Sequence, residues 1–160
     1  KSSSWQELEV LFAQLSRLGV DGLMLAPAFG YEKVDADIFL SRDEAMATFA
    51  PLPGARHRFR FNHSPAYLDF LAGRRALQCS PWSTPTRTVK GWRQPCYLIG
   101  DGYCASFSEL MEATAWQRYG AGRDPRCANC MVHSGFEASA LDQTARSPAD
   151  LWRTLRWSLQ

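Results

Sequence analysis

The sequence predicts an α/β to α+β protein, in which helix and buried-strand units fill the first half and a small cysteine-bearing region of a short hairpin plus helices fills the second. Three observations predict it. A capped amphipathic helix runs directly into a short unbroken apolar stretch, Gly22-Leu23-Met24-Leu25-Ala26-Pro27. Capping signals recur along the chain. Four of the five cysteines fall in two spaced groups, Cys79 with Cys96 and Cys127 with Cys130.

Ser4-Trp5-Gln6-Glu7 has the capping-box form, and Leu8, Leu11, Phe12, Leu15 and Leu18 follow on one helical face until Gly19 ends it. The apolar run closed by Pro27 and Gly30 reads as a buried parallel strand. Ser41-Arg42-Asp43-Glu44 opens a second helix to about Thr48, ended by Pro51, Pro53 and Gly54. Arg56 to Phe61 alternates, with three arginines on one face and His57, Phe59 and Phe61 on the other, and predicts a strand. Ser64-Pro65 caps a helix carrying Tyr67, Leu68 and Leu71.

The character changes after Gly73. Three prolines, three glycines and two tryptophans lie between Cys79 and Tyr103. Thr86–Lys90 and Cys96–Ile99 read as two short strands about Gly91, and Ser106-Phe107-Ser108-Glu109 starts a helix to about Trp116. A loop from Gly120 to Pro125 leads to Cys127. Ser147-Pro148 caps a last helix with Leu151, Leu155 and Leu159 on one face. The expected division is 1–75, 76–136 and a C-terminal helical segment, 137–160.

The composition excludes several classes. A net charge of +2 gives no electrostatic case for nucleic acid, and no apolar run reaches the ~20 residues needed to span a bilayer. Lys1-Ser2-Ser3-Ser4 enters a helix with no signal-peptide pattern and no initiator Met, which predicts a soluble, cytoplasmic chain beginning inside a longer protein. An odd count of five cysteines argues against a complete disulfide framework and for thiolates in a reducing compartment.

Cys127-Ala128-Asn129-Cys130 is a C-x-x-C pair, a spacing that aims two thiolates at one metal centre. Thioredoxin-like sites use the same spacing but follow a strand, whereas this pair follows a Gly- and Pro-bearing loop. A c-type haem site needs His after the second cysteine, where Met131 stands. Sixteen residues separate Cys79 from Cys96 and thirty separate Cys96 from Cys127. Four thiolates suit either a cubane cluster or a structural zinc, and spacing alone does not choose. Zinc ribbons pair two short knuckles, while here the first pair spreads across a hairpin, which tilts the reading toward a cluster.

Cys79-Ser80-Pro81-Trp82, Gly91-Trp92, Gln94-Pro95-Cys96-Tyr97-Leu98, Gly102-Tyr103 and Cys127-Ala128-Asn129-Cys130-Met131-Val132-His133 together resemble the auxiliary-cluster twitch arrangement, a shortened relative of the SPASM domain. The likeness extends from Trp5 to Trp157 and is to the C-terminal region of the HpnH family of hopanoid-biosynthesis radical S-adenosylmethionine (SAM) proteins, the adenosyl-hopene transferases. The resemblance implies that 1–75 are the last βα units of a partial radical SAM barrel and 76–136 an accessory iron–sulfur domain, with Cys79, Cys96, Cys127 and Cys130 holding a [4Fe–4S] cluster. It further implies an enzyme that adds a 5′-deoxyadenosyl radical to hopene, giving adenosylhopane. SAM and a second [4Fe–4S] cluster would belong to the missing N-terminal half of the polypeptide, since no C-x-x-x-C-x-x-C motif occurs in these 160 residues. A triterpene substrate implies peripheral membrane contact. The sequence departs from the family pattern at Ser134, where a cysteine often follows the histidine, and carries an extra Cys104.

Other residues offer lesser roles. Leu25, Ala26 and Pro27 end a strand and are expected on the adenine side of SAM, because ligands gather at the carboxyl ends of parallel strands. The Arg56, Arg58 and Arg60 face suits a carboxylate or plain solvent. Tyr31 and Glu32 end a loop that can face an active site. Trp82, Trp92 and Trp116 are expected to shield the cysteines or fill a core. His133 is a spare ligand or a structural histidine. The catalytic residues are not assigned. The rival reading is a zinc-binding structural or interaction module without catalysis, and a third is a thiol oxidoreductase using Cys127 and Cys130.

Overall fold

The computed structural model describes residues 4–30 and 38–159, so the expectation for Tyr31 and Glu32 lies outside the described residues. Helix α1 (Trp5–Arg17) starts at the expected capping box, with Ser4 and Glu7 bonding each other's backbone amides. It buries Phe12, which meets Phe59 and Phe61 edge-on at centroid distances of 5.5 and 5.7 Å. Leu11 and Leu18, expected on the same apolar face, are exposed, because only one narrow stripe of α1 meets the core.

The two strands expected in this half shrink to one parallel bridge, Leu23 with Phe61. The Leu23 amide donates to Arg60 O and the Asn62 amide to Leu23 O, both at 2.9 Å. The reason lies just upstream of Phe61. Helix α2 (Arg42–Phe49) ends before Pro51, but Pro51 then opens a short α3 (Leu52–Ala55). The Arg58 and Phe59 amides both donate to Ala55 O, so residues 56–59 turn instead of extending. The alternation survives only as burial, with Phe59 and Phe61 inside and His57 exposed. Helix α4 (Pro65–Leu71) follows, capped by Ser64, and nearly all of it is buried.

After α4 the chain forms an antiparallel sheet of β1 (Thr86–Thr88), β2 (Gly91–Pro95) and β3 (Gly100–Cys104), in that order. The strand expected at Cys96–Ile99 is instead the link between β2 and β3. Helix α5 (Phe107–Ala113) is shorter than expected, and a single 3-10 turn, Trp116–Arg118, follows it. Helix α6 (His133–Arg146) runs through residue 136, where a segment boundary was expected, and α7 (Pro148–Ser158) packs back against α6 and α4.

One core serves both halves. Phe12, Leu52, Tyr67, Phe70 and Leu71 share a buried cluster with Met131, Phe136 and Ala140. Phe70 and Phe136 stack with centroids 4.5 Å apart. Two arginines bind α7 down: Arg75 grips Asp150 with two 2.8 Å bonds, and Arg153 reaches Asp69 at 2.6 Å and Pro65 O at 2.9 Å. The leucines expected to seat α7 do not do so. Leu151, Leu155 and Leu159 are 47, 51 and 88% exposed, while Trp157 supplies the contact with the core.

Candidate metal centre

Three separate chain segments bring Cys79, Cys96, Cys127 and Cys130 to the walls of a single small cavity. Cys79 lies in the connection after α4, pinned to α6. The Gln78 amide donates to Ser139 Oγ at 3.1 Å and the Ser80 amide to Gly135 O at 2.7 Å. Gly135 makes this approach possible, since a Cβ there would lie 3.1 Å from Cys79 Sγ. Cys96 follows β2 directly after the cis Gln94-Pro95 bond. Cys127 closes a 3-10 turn, Pro125–Cys127, capped by the Asp124 carboxylate, and the Cys130 amide donates to Cys127 O at 3.1 Å. That turn holds both thiols on one side, as the C-x-x-C spacing predicts. The remaining walls are mainly apolar, among them Pro81, Pro95, Leu98, Ile99, Val132 and Phe136.

All four are free thiols. Burial pushes Cys79 up to about 12, and the neighbouring Cys130, Cys127 and Cys96 add to the rise, against the pull of Arg123. Burial also raises Cys130, reinforced by Cys127 and Cys96 and opposed by the Val132 amide and Arg42. Cys127 is raised by burial too, against a hydrogen bond from the Gly120 amide.

A soft, all-sulfur donor set in a mainly apolar cavity suits an iron–sulfur cluster or zinc. A single zinc needs four sulfurs about 2.3 Å from one point. Among the described residues no three His, Cys, Asp or Glu side chains gather to hold one ion. By donor chemistry alone, four cysteines on the walls of one apolar cavity fit either group.

The lesser candidates scatter. Cys104 is buried on β3, where its thiol donates to Gln94 Oε1 at 3.5 Å, outside the cavity. His133 also stays out of it and stacks near His63, with centroids 5.4 Å apart; burial and His63 hold its imidazole below the usual value. None of Trp82, Trp92 and Trp116 lines the shared cavity, but Trp82 and Trp116 border an open groove with Cys79, while Trp92 lies away from it. Trp92 packs on Phe107, Trp116 donates to Met111 O, and Trp82 is exposed. Arg56, Arg58 and Arg60 border an open groove of about 550 Å³ with Trp157, and Arg58 pairs with Glu9 at 2.6 Å. Pro27 lines an open apolar hollow with Phe29, Tyr97, Leu98 and Val132, and those last four also wall the cysteine cavity.

Sequence reasoning missed several neighbours of the site. Ser134 lines the cavity and donates to Tyr97 Oη at 2.9 Å, a contact its spacing did not signal. Arg42 reaches from the start of α2 to Cys130 O, a contact across 88 residues with no local signal in the sequence. Arg126, beside Cys127, bonds Asp124 at 2.7 Å and Asp101 of β3 at 3.0 Å, and this fastens the C-x-x-C turn to the sheet. These bonds hold the Asp101 and Asp124 carboxyls below their usual range.

The fold and cavity together define a mixed helix-and-sheet protein that brings four cysteines to the walls of one cavity. The chain belongs to the family described as a domain of unknown function, DUF3463, which it matches over residues 23–154. No curated protein and no solved structure matches it. No helix among the described residues is long and apolar enough to cross a membrane.

Proposed function

We propose that this chain is the C-terminal part of a radical SAM enzyme and that Cys79, Cys96, Cys127 and Cys130 hold an accessory [4Fe–4S] cluster in it. The observation that carries the reading is the meeting of four cysteines, from three distant segments, around one apolar cavity. When bound, such a cluster supplies an electron conduit or a structural anchor, and four cysteine ligands leave no open iron for substrate. The chain's own residues exclude water with Pro95, Leu98, Ile99 and Phe136 and aim the paired thiols with the Asp124-capped turn.

The sequence likeness to the adenosyl-hopene transferases supports the finer reading, transfer of a 5′-deoxyadenosyl radical to hopene by the whole polypeptide. On that reading the Leu23–Phe61 bridge is a remnant of the last βα units of a partial barrel, and Leu25 to Pro27 face SAM held by another part of the protein. The open apolar hollow beside Pro27 suits a hydrocarbon substrate drawn from a membrane surface.

Anaerobic iron, sulfide and zinc analysis of the purified chain tests the centre, beside a variant with all four cysteines changed to alanine. Near-stoichiometric iron and sulfide, lost in the variant, is the expected result. Zinc without sulfide would replace the cluster with a structural zinc module, and no metal after reconstitution would sink both readings.

A further inference from the structure

We propose that Arg42 is the part-buried counter-charge of the cysteine centre, a positioning residue that raises the cluster's reduction potential from its place against the Cys130 carbonyl. The inference rests on the accessory-cluster reading and adds to it the residue that tunes the site.

Arg42 is the first residue of α2, fixed there by the Ser41 cap. Its own amide donates to Asn129 Oδ1 at 3.2 Å, inside the C-x-x-C turn, and its Nη2 donates to Cys130 O at 2.8 Å. The guanidinium lies over two rings, with Cζ 5.4 Å from the Phe70 centroid and 5.7 Å from the Phe136 centroid. Phe136 is also a wall of the cysteine cavity, so the cation stands just behind that wall. Its Nε is buried and has no hydrogen-bond partner among the described residues.

A partly desolvated cation costs free energy unless a negative charge answers it. Arg42 is part-buried and meets no carboxylate among the described residues. Four thiolates on a cluster would supply that charge. A fixed positive charge stabilises the more negative, reduced state of a cluster, so its removal makes reduction harder.

The test is an anaerobic redox titration of the reconstituted chain, followed by visible absorption and spin resonance, in wild type, Arg42→Gln and Arg42→Lys. Iron and sulfide per chain are measured in each. Arg42→Gln is expected to load like wild type but to titrate lower, with a tenfold or larger change in the oxidised-to-reduced ratio at fixed potential, about 59 mV for one electron. Arg42→Lys is expected to recover most of that shift. Equal potentials in loaded wild type and Arg42→Gln would overturn the proposal, as would failure of both variants to load, which marks Arg42 as a structural clamp only. A wild-type chain without iron and sulfide would sink the cluster reading itself, and this one with it.

Discussion

The Leu25 amide donates to Nε2 of His63 across 2.8 Å, and His63 is almost wholly buried. An accepting Nε2 carries no proton, so the ring's hydrogen sits on Nδ1, which lies 3.4 Å from Glu137 Oε1. Ser64 Oγ donates to the other carboxylate oxygen at 2.8 Å. The chain thereby joins its first apolar run to α6, the helix against which Cys79 is pinned.

This relay predicts an acid-sensitive fold. Burial pushes the Glu137 carboxyl up, but hydrogen bonds from His63 and Ser64 outweigh it and hold the group below its ordinary 4.5. A depressed carboxyl contributes stability that is present above its unfolded value and is lost as pH falls through the folded one. Urea unfolding of wild type should therefore weaken more steeply below about pH 4.5 than that of Glu137→Gln. Parallel acid profiles for the two proteins would show that the carboxylate adds nothing.

Cys104 should separate from the other four cysteines. It packs as a small apolar group with one weak sulfur hydrogen bond, so Cys104→Ala should cost about 1 kcal/mol and leave iron content unchanged. Each of Cys79→Ala, Cys96→Ala, Cys127→Ala and Cys130→Ala should lower iron and sulfide per chain. Loss of iron in Cys104→Ala would place a fifth sulfur at the centre.

Local chemistry was the legible part of this sequence. The capping serines at 4, 41, 64, 106 and 147 all accept from the amide three residues on, because that bond needs only its own turn. The pairing of Cys127 with Cys130 in one turn was legible from spacing, since a C-x-x-C turn pre-aims its thiols. Contacts between distant segments were not. Helix α6 hides behind a thin stripe of Phe136, Ala140 and Thr144, and β3 behind two glycines. Residues 56–59 turn instead of extending, because the preceding helix forces a turn that no periodicity records, and only Phe59 and Phe61 keep their expected inward place. The exposed leucines of α7 show the same limit, for their spacing says helix but not which neighbour, if any, covers them.

Gly135 offers a substitution that divides stability from loading. It lies in the first turn of α6 at an ordinary φ, so Gly135→Ala gains up to about 1 kcal/mol of helix propensity. The new methyl would crowd Cys79 Sγ at 3.1 Å and push that thiol off its place. Thermal unfolding of the metal-free chain should hold or rise while iron per chain falls. A variant that loads fully would show the cavity has slack at Cys79.

Gly91 makes the opposite case, in which the backbone itself blocks a side chain. It opens β2 at φ 119°, a conformation that L residues rarely adopt, and a Cβ there would lie 2.6 Å from the Cys104 carbonyl oxygen. Strain of this kind costs roughly 1–3 kcal/mol, and a carbonyl within a paired strand cannot rotate away as a flexible side chain would. Gly91→Ala should therefore displace β3 from β2, and the link between them is the segment that carries Cys96. Gly54→Ala is the control, because its Cβ meets nothing within 4 Å and its φ is ordinary. Chemical denaturation should find Gly91→Ala weakened and Gly54→Ala unchanged or firmer, with iron content falling only in the first. If Gly91→Ala unfolds like wild type and keeps its iron, the sheet does not position Cys96, and the third corner of the cavity must be held by Tyr97 and Ser134 instead.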